Sequence, residues 1–133
     1  MTPQDPQALS AYRRFQLTVW LAMVMAGVMY LVILKLVPAS APQLNQSLET
    51  TLLAIAAGLV AVSFPVENRL RGPREETRNL ARERAALITG LALCESAAVL
   101  GVVVHIVTGS PRGQLMIAIG VAGLLLHYPK RED

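Results

Sequence analysis

One acidic side chain, Glu95, lies in the middle of a long apolar stretch and is the residue best placed to do chemistry. Inserting an ionisable group into hydrocarbon costs at least about 2.5 kcal/mol on insertion scales. Such a residue therefore pairs with another group, lines an aqueous cavity or has a function. Its position predicts either a proton or cation site, or a neutral glutamic acid that ties helices together by hydrogen bonding. Candidate hydrogen-bond partners are hydroxyl side chains of the apolar stretches: Thr18, Ser63, Thr89 and Ser96.

The same stretch carries small residues at three- and four-residue steps. On a helix such positions lie along one ridge, where the backbone of a second helix can approach closely. We therefore expect helix packing through this ridge, either within the chain or between copies of it. The ridge comprises Gly90, Cys94, Ala97 and Gly101.

Four apolar stretches supply the elements that would position these residues. About 20 apolar residues cross a hydrocarbon core of roughly 30 Å, so we predict an all-α, polytopic membrane protein in which one domain contains four transmembrane helices. Composition agrees, because 53% of the residues are hydrophobic and the mean hydropathy is +0.47. The predicted spans cover residues 15–37, 48–66, 86–107 and 114–128, with Pro65 ending the second.

The segment 67–85 between the second and third spans is strongly charged. Gly72 breaks the chain there, and Pro73 suits the first turn of a helix. Because no further helix breaker precedes Gly90, we expect the third helix to begin at Pro73 and to protrude before it enters the membrane near Ala85. The segment is thus predicted to be a charged cytoplasmic loop and helix extension.

Basic residues are distributed unevenly around the spans. Lys and Arg near span ends are retained on the cytoplasmic side of a membrane. Four spans place every basic cluster on one side and leave little but Arg112 on the other, which predicts cytoplasmic N and C termini and favours a bacterial inner membrane. The clusters are Arg13 and Arg14; Arg69, Arg71, Arg74, Arg78, Arg82 and Arg84; and Lys130 and Arg131.

The second and fourth spans end in a similar way. Phe64-Pro65 and Tyr128-Pro129 are each followed by charged residues. Two similar hairpins in parallel orientation would explain this likeness. Reuse of the same helix-ending residue types would also explain it, without any duplication.

The two histidines, the single cysteine and the net charge argue against several classes of protein. His105 and His127 are expected near opposite faces of the membrane, so they could not share a haem or a metal ion. Cys94 is the only cysteine, which leaves no thiol pair for redox exchange. The net charge of +3 comes from residues beside spans, where they meet lipid head groups rather than nucleic acid. No catalytic residue, cofactor, metal or enzymatic activity is predicted.

The turn Arg71-Gly72-Pro73 precedes a stretch with Ala92-Leu93 before Glu95 and Gly101-Val102-Val103 after it. Within residues 70–104 this pattern resembles the loop and ion-binding helix of the rotary ATP synthase proteolipid, the c subunit. The resemblance implies that Glu95 exchanges a proton or cation within an oligomeric ring. The chain departs from the family pattern in the preceding helix, which lacks the glycine repeat, and in placing the acid about one helical turn further from the proline.

Two functional hypotheses follow. In the first, the chain is a small non-enzymatic membrane protein, a structural or accessory subunit assembled by small-residue helix packing. Its partners would then be the lipid bilayer and either further copies of itself or a larger membrane complex. In the alternative, it handles protons or cations through Glu95 as a proteolipid does.

Overall fold

The computed structural model of the protein describes residues 6–38, 46–72 and 79–129, and these parts form four α-helices. The prediction of an all-helical fold with four helices is therefore confirmed. The helices are α1 (Pro6–Leu36), α2 (Gln46–Arg71), α3 (Leu80–Thr108) and α4 (Pro111–Leu126).

Three of these helices are long and apolar enough to cross a membrane, namely α1, α2 and α3. The fourth is apolar but has only 16 residues. At 1.5 Å per residue α4 is about 24 Å long, which is shorter than a hydrocarbon core of about 30 Å. A helix of this length fits a bilayer that is locally thinned, or one in which polar flanking residues reach the interface.

The second helix does not stop where its proline suggested. Pro65 lies inside α2, which continues to Arg71, so the prediction that the helix ends at this proline is wrong. A proline removes one backbone donor, and tertiary contacts of the following residues can compensate for the loss. Here Glu67 supplies a tertiary contact with His127 at the end of α4, in addition to a local ion pair with Arg71 one turn later. The turn ends at Gly72, whose φ of 74° lies in the left-handed region.

The third helix begins at Leu80 rather than at Pro73. Asn79 has extended backbone angles, and its side-chain oxygen accepts a hydrogen bond from the Arg82 backbone N–H at 3.1 Å. Asparagine is a favoured N-cap because it satisfies one of the free donors of the first turn. The predicted start at Pro73 is wrong because Asn79 caps the helix. Residues 73–78 themselves lie outside the described residues.

Contacts along the helices fix their relative directions. Helices α3 and α4 are antiparallel, since Gly101 lies beside Gly113 and Cys94 lies beside Gly123. Helices α2 and α4 are parallel, because Glu49 pairs with Arg112 near one end and Glu67 contacts His127 near the other. The C-terminal ends of α2 and α4 therefore lie together.

The first helix runs parallel to α3. Arg84 lies over the ring of Phe15, and Glu95 is bonded to Tyr30 further along both helices. Helix α1 packs on α3 and α4, but within the described residues it does not touch α2. Within the described residues the first two helices therefore do not form a packed hairpin like that of α3 and α4.

One end of the bundle is rich in arginine. The starts of α1 and α3 and the end of α2 meet there, and we call it the arginine-rich end; the opposite end is the Arg112 end. The predicted Arg74, Arg78, Lys130 and Arg131 lie outside the described residues. The described members of the arginine-rich end are Arg13, Arg14, Arg69, Arg71, Arg82 and Arg84.

The tightest packing joins α3 to α4. A Cβ atom on Gly101 would lie 2.5 Å from the carbonyl oxygen of Gly113, and one on Gly120 would lie 2.7 Å from the backbone nitrogen of Ala98. Such distances leave no room for a side chain, so glycine is required for the two backbones to approach this closely. Helix α3 consequently contributes more buried residues than any other helix and forms the centre of the bundle.

Candidate functional site

The acid singled out from the sequence, Glu95, bridges α3 to α1. The Tyr30 hydroxyl donates a hydrogen bond of 2.9 Å to Glu95 Oε1. Both side chains are only partly buried, so the pair lies at the rim of the helix contact rather than in the core. Tyr30 and Glu95 meet at this depth because α1 and α3 run in the same direction.

The hydroxyl groups expected around Glu95 bond elsewhere. Ser63 donates to the Val60 carbonyl at 2.6 Å, Thr89 donates to the carbonyl of Ala85, and Ser96 donates to that of Ala92. Each bond returns to the same helix, as is common for hydroxyl residues inside helices. Thr18 is exposed on α1. The partner that the structure gives Glu95, Tyr30, was not among those predicted.

The predicted packing ridge of α3 is buried along its whole length. Gly90, Cys94, Ala97 and Gly101 are all buried. Gly101 and Cys94 face α4, where Gly113 and Gly123 approach them. Gly90 has a different surrounding, because a Cβ atom there would lie 2.8 Å from a Glu67 carboxylate oxygen and 3.1 Å from the His127 ring. The ridge thus leads to a polar cluster that was not predicted.

This polar cluster joins the ends of α2 and α4. His127 Nε2 lies 3.0 Å from Glu67 Oε2, and Arg71 forms an ion pair with the other carboxylate oxygen. The His127 side chain is 1% exposed and that of Glu67 10%, whereas Arg71 reaches solvent with 41% of its side chain. Arg71, Glu67 and His127 thus follow one another from the arginine-rich end into the protein.

Further polar groups extend the cluster towards the centre of the bundle. His127 Nδ1 lies 2.8 Å from the Gly123 carbonyl oxygen and 3.8 Å from Cys94 Sγ. The Cys94 thiol also lies 3.4 Å from the Ser63 hydroxyl. Phe64 covers the imidazole, with ring centroids 4.4 Å apart and nearly parallel planes. A buried carboxylate, imidazole, thiol and hydroxyl therefore follow one another between α2, α3 and α4.

Helix α1 closes the outer side of the end of α4. The Trp20 indole N–H donates a hydrogen bond of 2.8 Å to the Leu124 carbonyl, which lies in the last turn of α4. Trp20 also meets Tyr128 edge to face at 5.0 Å. Carbonyls in the last turn of a helix have no partner within the helix, so this indole satisfies a group that lipid could not.

The Arg112 end has an ion pair of its own. Arg112 Nη1 lies 3.5 Å from Glu49 Oε2 and donates a hydrogen bond to Thr50 Oγ1 at 2.9 Å. The Ser110 hydroxyl donates to the same Glu49 oxygen at 2.9 Å, while its oxygen caps the first turn of α4. These contacts fasten the start of α4 to the start of α2.

The two histidines lie at opposite ends of the bundle. His105 lies beside Ser110 at the Arg112 end, and His127 lies at the other end of α4. Among the described residues no group of three or more His, Cys, Asp or Glu side chains is arranged to hold a metal ion.

Neither a family model, nor a curated protein, nor a solved structure matches this chain. The function is therefore inferred from the contacts within the protein.

Proposed function

We propose that the chain is a small multi-pass membrane protein that acts as a non-enzymatic structural or accessory subunit. The observation that supports this is the uncovered apolar surface of α1. Of its 31 residues, only Tyr12 and Gly27 are buried. An apolar helix exposed to this extent is stable in lipid or against helices of another protein. The large exposed apolar side chains of α1 include Leu21, Met25, Val28, Met29, Leu31, Val32 and Leu36.

The proposal includes four membrane crossings with both termini in the cytoplasm, in a bacterial inner membrane. The alternating helix directions support this arrangement, as does the grouping of basic side chains at the arginine-rich end. At the Arg112 end the described Lys and Arg side chains are Lys35, in the last turn of α1, and Arg112, whose charge is paired with Glu49. The short α4 crosses with its two ends held by the Glu49–Arg112 and Glu67–His127 contacts.

The mass of the assembly in a mild detergent tests the subunit proposal. We expect the purified protein to form a small homo-oligomer, or a defined complex with a larger membrane protein, through the exposed face of α1. Charged substitution of Met25 or Met29, which are both exposed, should dissociate the assembly, whereas substitution of Ser96 on the exposed face of α3 should not. A protein that is monomeric in every mild detergent and native membrane extract would contradict the proposal.

The second candidate is proton or cation handling through Glu95. The observation in its favour is an ionisable side chain halfway along α3 that is partly exposed and has a hydroxyl donor, Tyr30, in place of a countercharge. A carbodiimide selective for protonated carboxylates within membranes should then label Glu95, and added cation should block the labelling. The Glu95→Gln variant is the matched control. An assembly of many copies in a ring would favour this candidate, and an unreactive Glu95 would remove it.

A further inference from the structure

The buried polar cluster at the end of α4 has an unusual arrangement of hydrogen-bonding groups. We propose that Glu67 and His127 form a proton-binding site, in which a carboxylate faces an imidazolium and the bound proton fastens the end of α4 to α2. This site is separate from Glu95 and does not depend on the subunit role proposed above.

The Nδ1 atom of His127 lies 2.8 Å from the carbonyl oxygen of Gly123. A carbonyl oxygen can only accept a hydrogen bond, so a contact this short requires a hydrogen on Nδ1. The Cys94 sulfur also contacts Nδ1, at 3.8 Å, and since a thiol sulfur can accept as well as donate, this contact is compatible with a hydrogen on Nδ1. Nδ1 is therefore the protonated nitrogen, whatever the charge of the ring.

Nε2 is the other ring nitrogen of His127. With Nδ1 protonated, a neutral imidazole would carry a lone pair on Nε2. That atom lies 3.0 Å from Glu67 Oε2 and has no other partner among the described residues. A lone pair facing a carboxylate oxygen at this distance is repulsive. A second ring proton removes the repulsion and creates an ion pair, although the N–H is not aimed along the line of a good hydrogen bond.

The surroundings favour the proton on the imidazole rather than on the carboxyl group. Arg71 from α2 contacts Glu67 directly and favours its ionised form. Among the described residues, α3 places the Cys94 thiol near the ring and α1 places Trp20, which bonds to the Leu124 carbonyl, so neither of these helices brings a second cation against the ring. Phe64 stacks on the imidazole and presents the π-face that attracts a cation.

A catalytic reading of the same residues does not fit. Cys94, His127 and Glu67 have the residue types of a thiol nucleophile, a base and an acid that orients the base. However, Cys94 is 0% exposed and is packed between Leu87, Leu91 and Leu124 in an apolar cluster. Its sulfur also lies further from Nδ1 than the Gly123 carbonyl does. A substrate could not reach this thiol in the folded protein.

Loss of the proton should loosen one end of α4. Without it the imidazole and the carboxylate present two acceptors to each other in a buried site, which is unfavourable. The weakened contact is the one that holds the C-terminal end of α4 against α2, while the Glu49–Arg112 contact at the other end is unaffected. The site therefore couples the packing of α4 to pH at the arginine-rich end.

Nitrogen NMR of the full chain in lipid nanodiscs, with ¹⁵N-labelled histidine, tests the site directly. The chemical shifts distinguish an imidazolium, with two protonated nitrogens, from either neutral tautomer. The chain has two histidines, and a His105→Gln sample assigns them. At about pH 7.5, roughly one unit above the ordinary imidazole pKa of about 6.5, we expect His127 to be an imidazolium. A neutral His127 ring at this pH would overturn the proposal, and this measurement needs no substitution near the site.

The Glu67→Gln variant then shows whether the carboxylate holds the proton. Removal of an opposite charge in contact should lower the proton affinity of His127 by about tenfold or more. Glu49→Gln at the Arg112 end is the matched control and should leave the His127 signals unchanged. An unaltered proton affinity in a folded Glu67→Gln protein would show that Glu67 is not part of the site.

Discussion

His127 Nε2 lies 3.0 Å from Glu67 Oε2, and this contact joins the C-terminal ends of two helices that are distant in sequence. Because it brings both ends to one side of the bundle, α2 and α4 must run in the same direction. The Glu49–Arg112 pair at their other ends gives the same result. Two polar contacts thus define how the shortest helix lies in the bundle.

The Glu67–His127 contact should contribute more to stability than the Glu49–Arg112 contact. Removing one partner of a buried ion pair leaves an uncompensated charge and typically costs about 3 kcal/mol or more. We expect Glu67→Gln to lower the free energy of unfolding by about this amount. Glu49→Gln should lower it by about 1 kcal/mol, since Arg112 is more exposed than His127. Reversible unfolding in mixed micelles measures both. An equal or larger loss for Glu49→Gln would contradict the central position of the Glu67 site.

The close approach of α3 and α4 should not tolerate a methyl group. In Gly101→Ala the new Cβ atom would meet a backbone oxygen that cannot move aside, so we expect a loss of roughly 1–3 kcal/mol in the free energy of unfolding. Gly58→Ala is the matched control, because nothing lies within 4 Å of a Cβ atom at that position. It should be neutral or stabilising by up to about 1 kcal/mol, since alanine favours a helix. If both substitutions behave alike, the two helix backbones are not in contact at Gly101.

The hydrogen bond between Tyr30 and Glu95 should be measurable as a coupling between α1 and α3. Tyr30→Phe removes the donor with little change in shape, and we expect it to cost about 1 kcal/mol in unfolding free energy. Glu95→Gln should retain most of that energy, because its amide oxygen can still accept the bond. A double-mutant cycle with Glu95→Ala isolates the interaction. A coupling energy of zero would mean that the two side chains do not bond in the membrane.

The contact of Trp20 with α4 provides a spectroscopic report on the same region. Trp20 is the only tryptophan, and its indole bonds to Leu124 next to the Glu67–His127 site. Loosening of the α4 end on loss of the His127 proton should change its emission and quenching. We expect this change across a rise in pH in the wild-type protein but not in His127→Leu, which has no ring to titrate. A response that persists in His127→Leu would assign the pH effect to another group.

The helices themselves could be predicted from the sequence because apolar length alone determines them in a membrane protein. Their ends could not be placed as well. Pro65 predicts a helix end, but α2 continues to Arg71; the contact of Glu67 with His127 beyond the proline is tertiary, and no local pattern gives it. The start of α3 was a local error, since Asn79 is a recognisable N-cap.

The candidate sites were predicted unevenly for a related reason. The buried ridge of α3 is a property of one helix and can be found from its spacing. The partner of Glu95 depends on the rotation of α1 against α3, which no local pattern gives. Glu67 and His127 could have been found from the sequence, because each lies near the end of a span and within two residues of a proline that follows an aromatic residue. The charge pattern predicts that both span ends lie at the same membrane face, and a contact between the two side chains could have been predicted from this.

The compartments of the two termini are the sharpest test of the topology with four membrane crossings. Reporter tags fused in turn to the N and C termini of the full chain, in the membrane of a living bacterium, should both report the cytoplasm. A third reporter inserted next to Arg112 should report the opposite side. N- and C-terminal tags in different compartments would mean an odd number of crossings, and α4 could not then span the membrane parallel to α2.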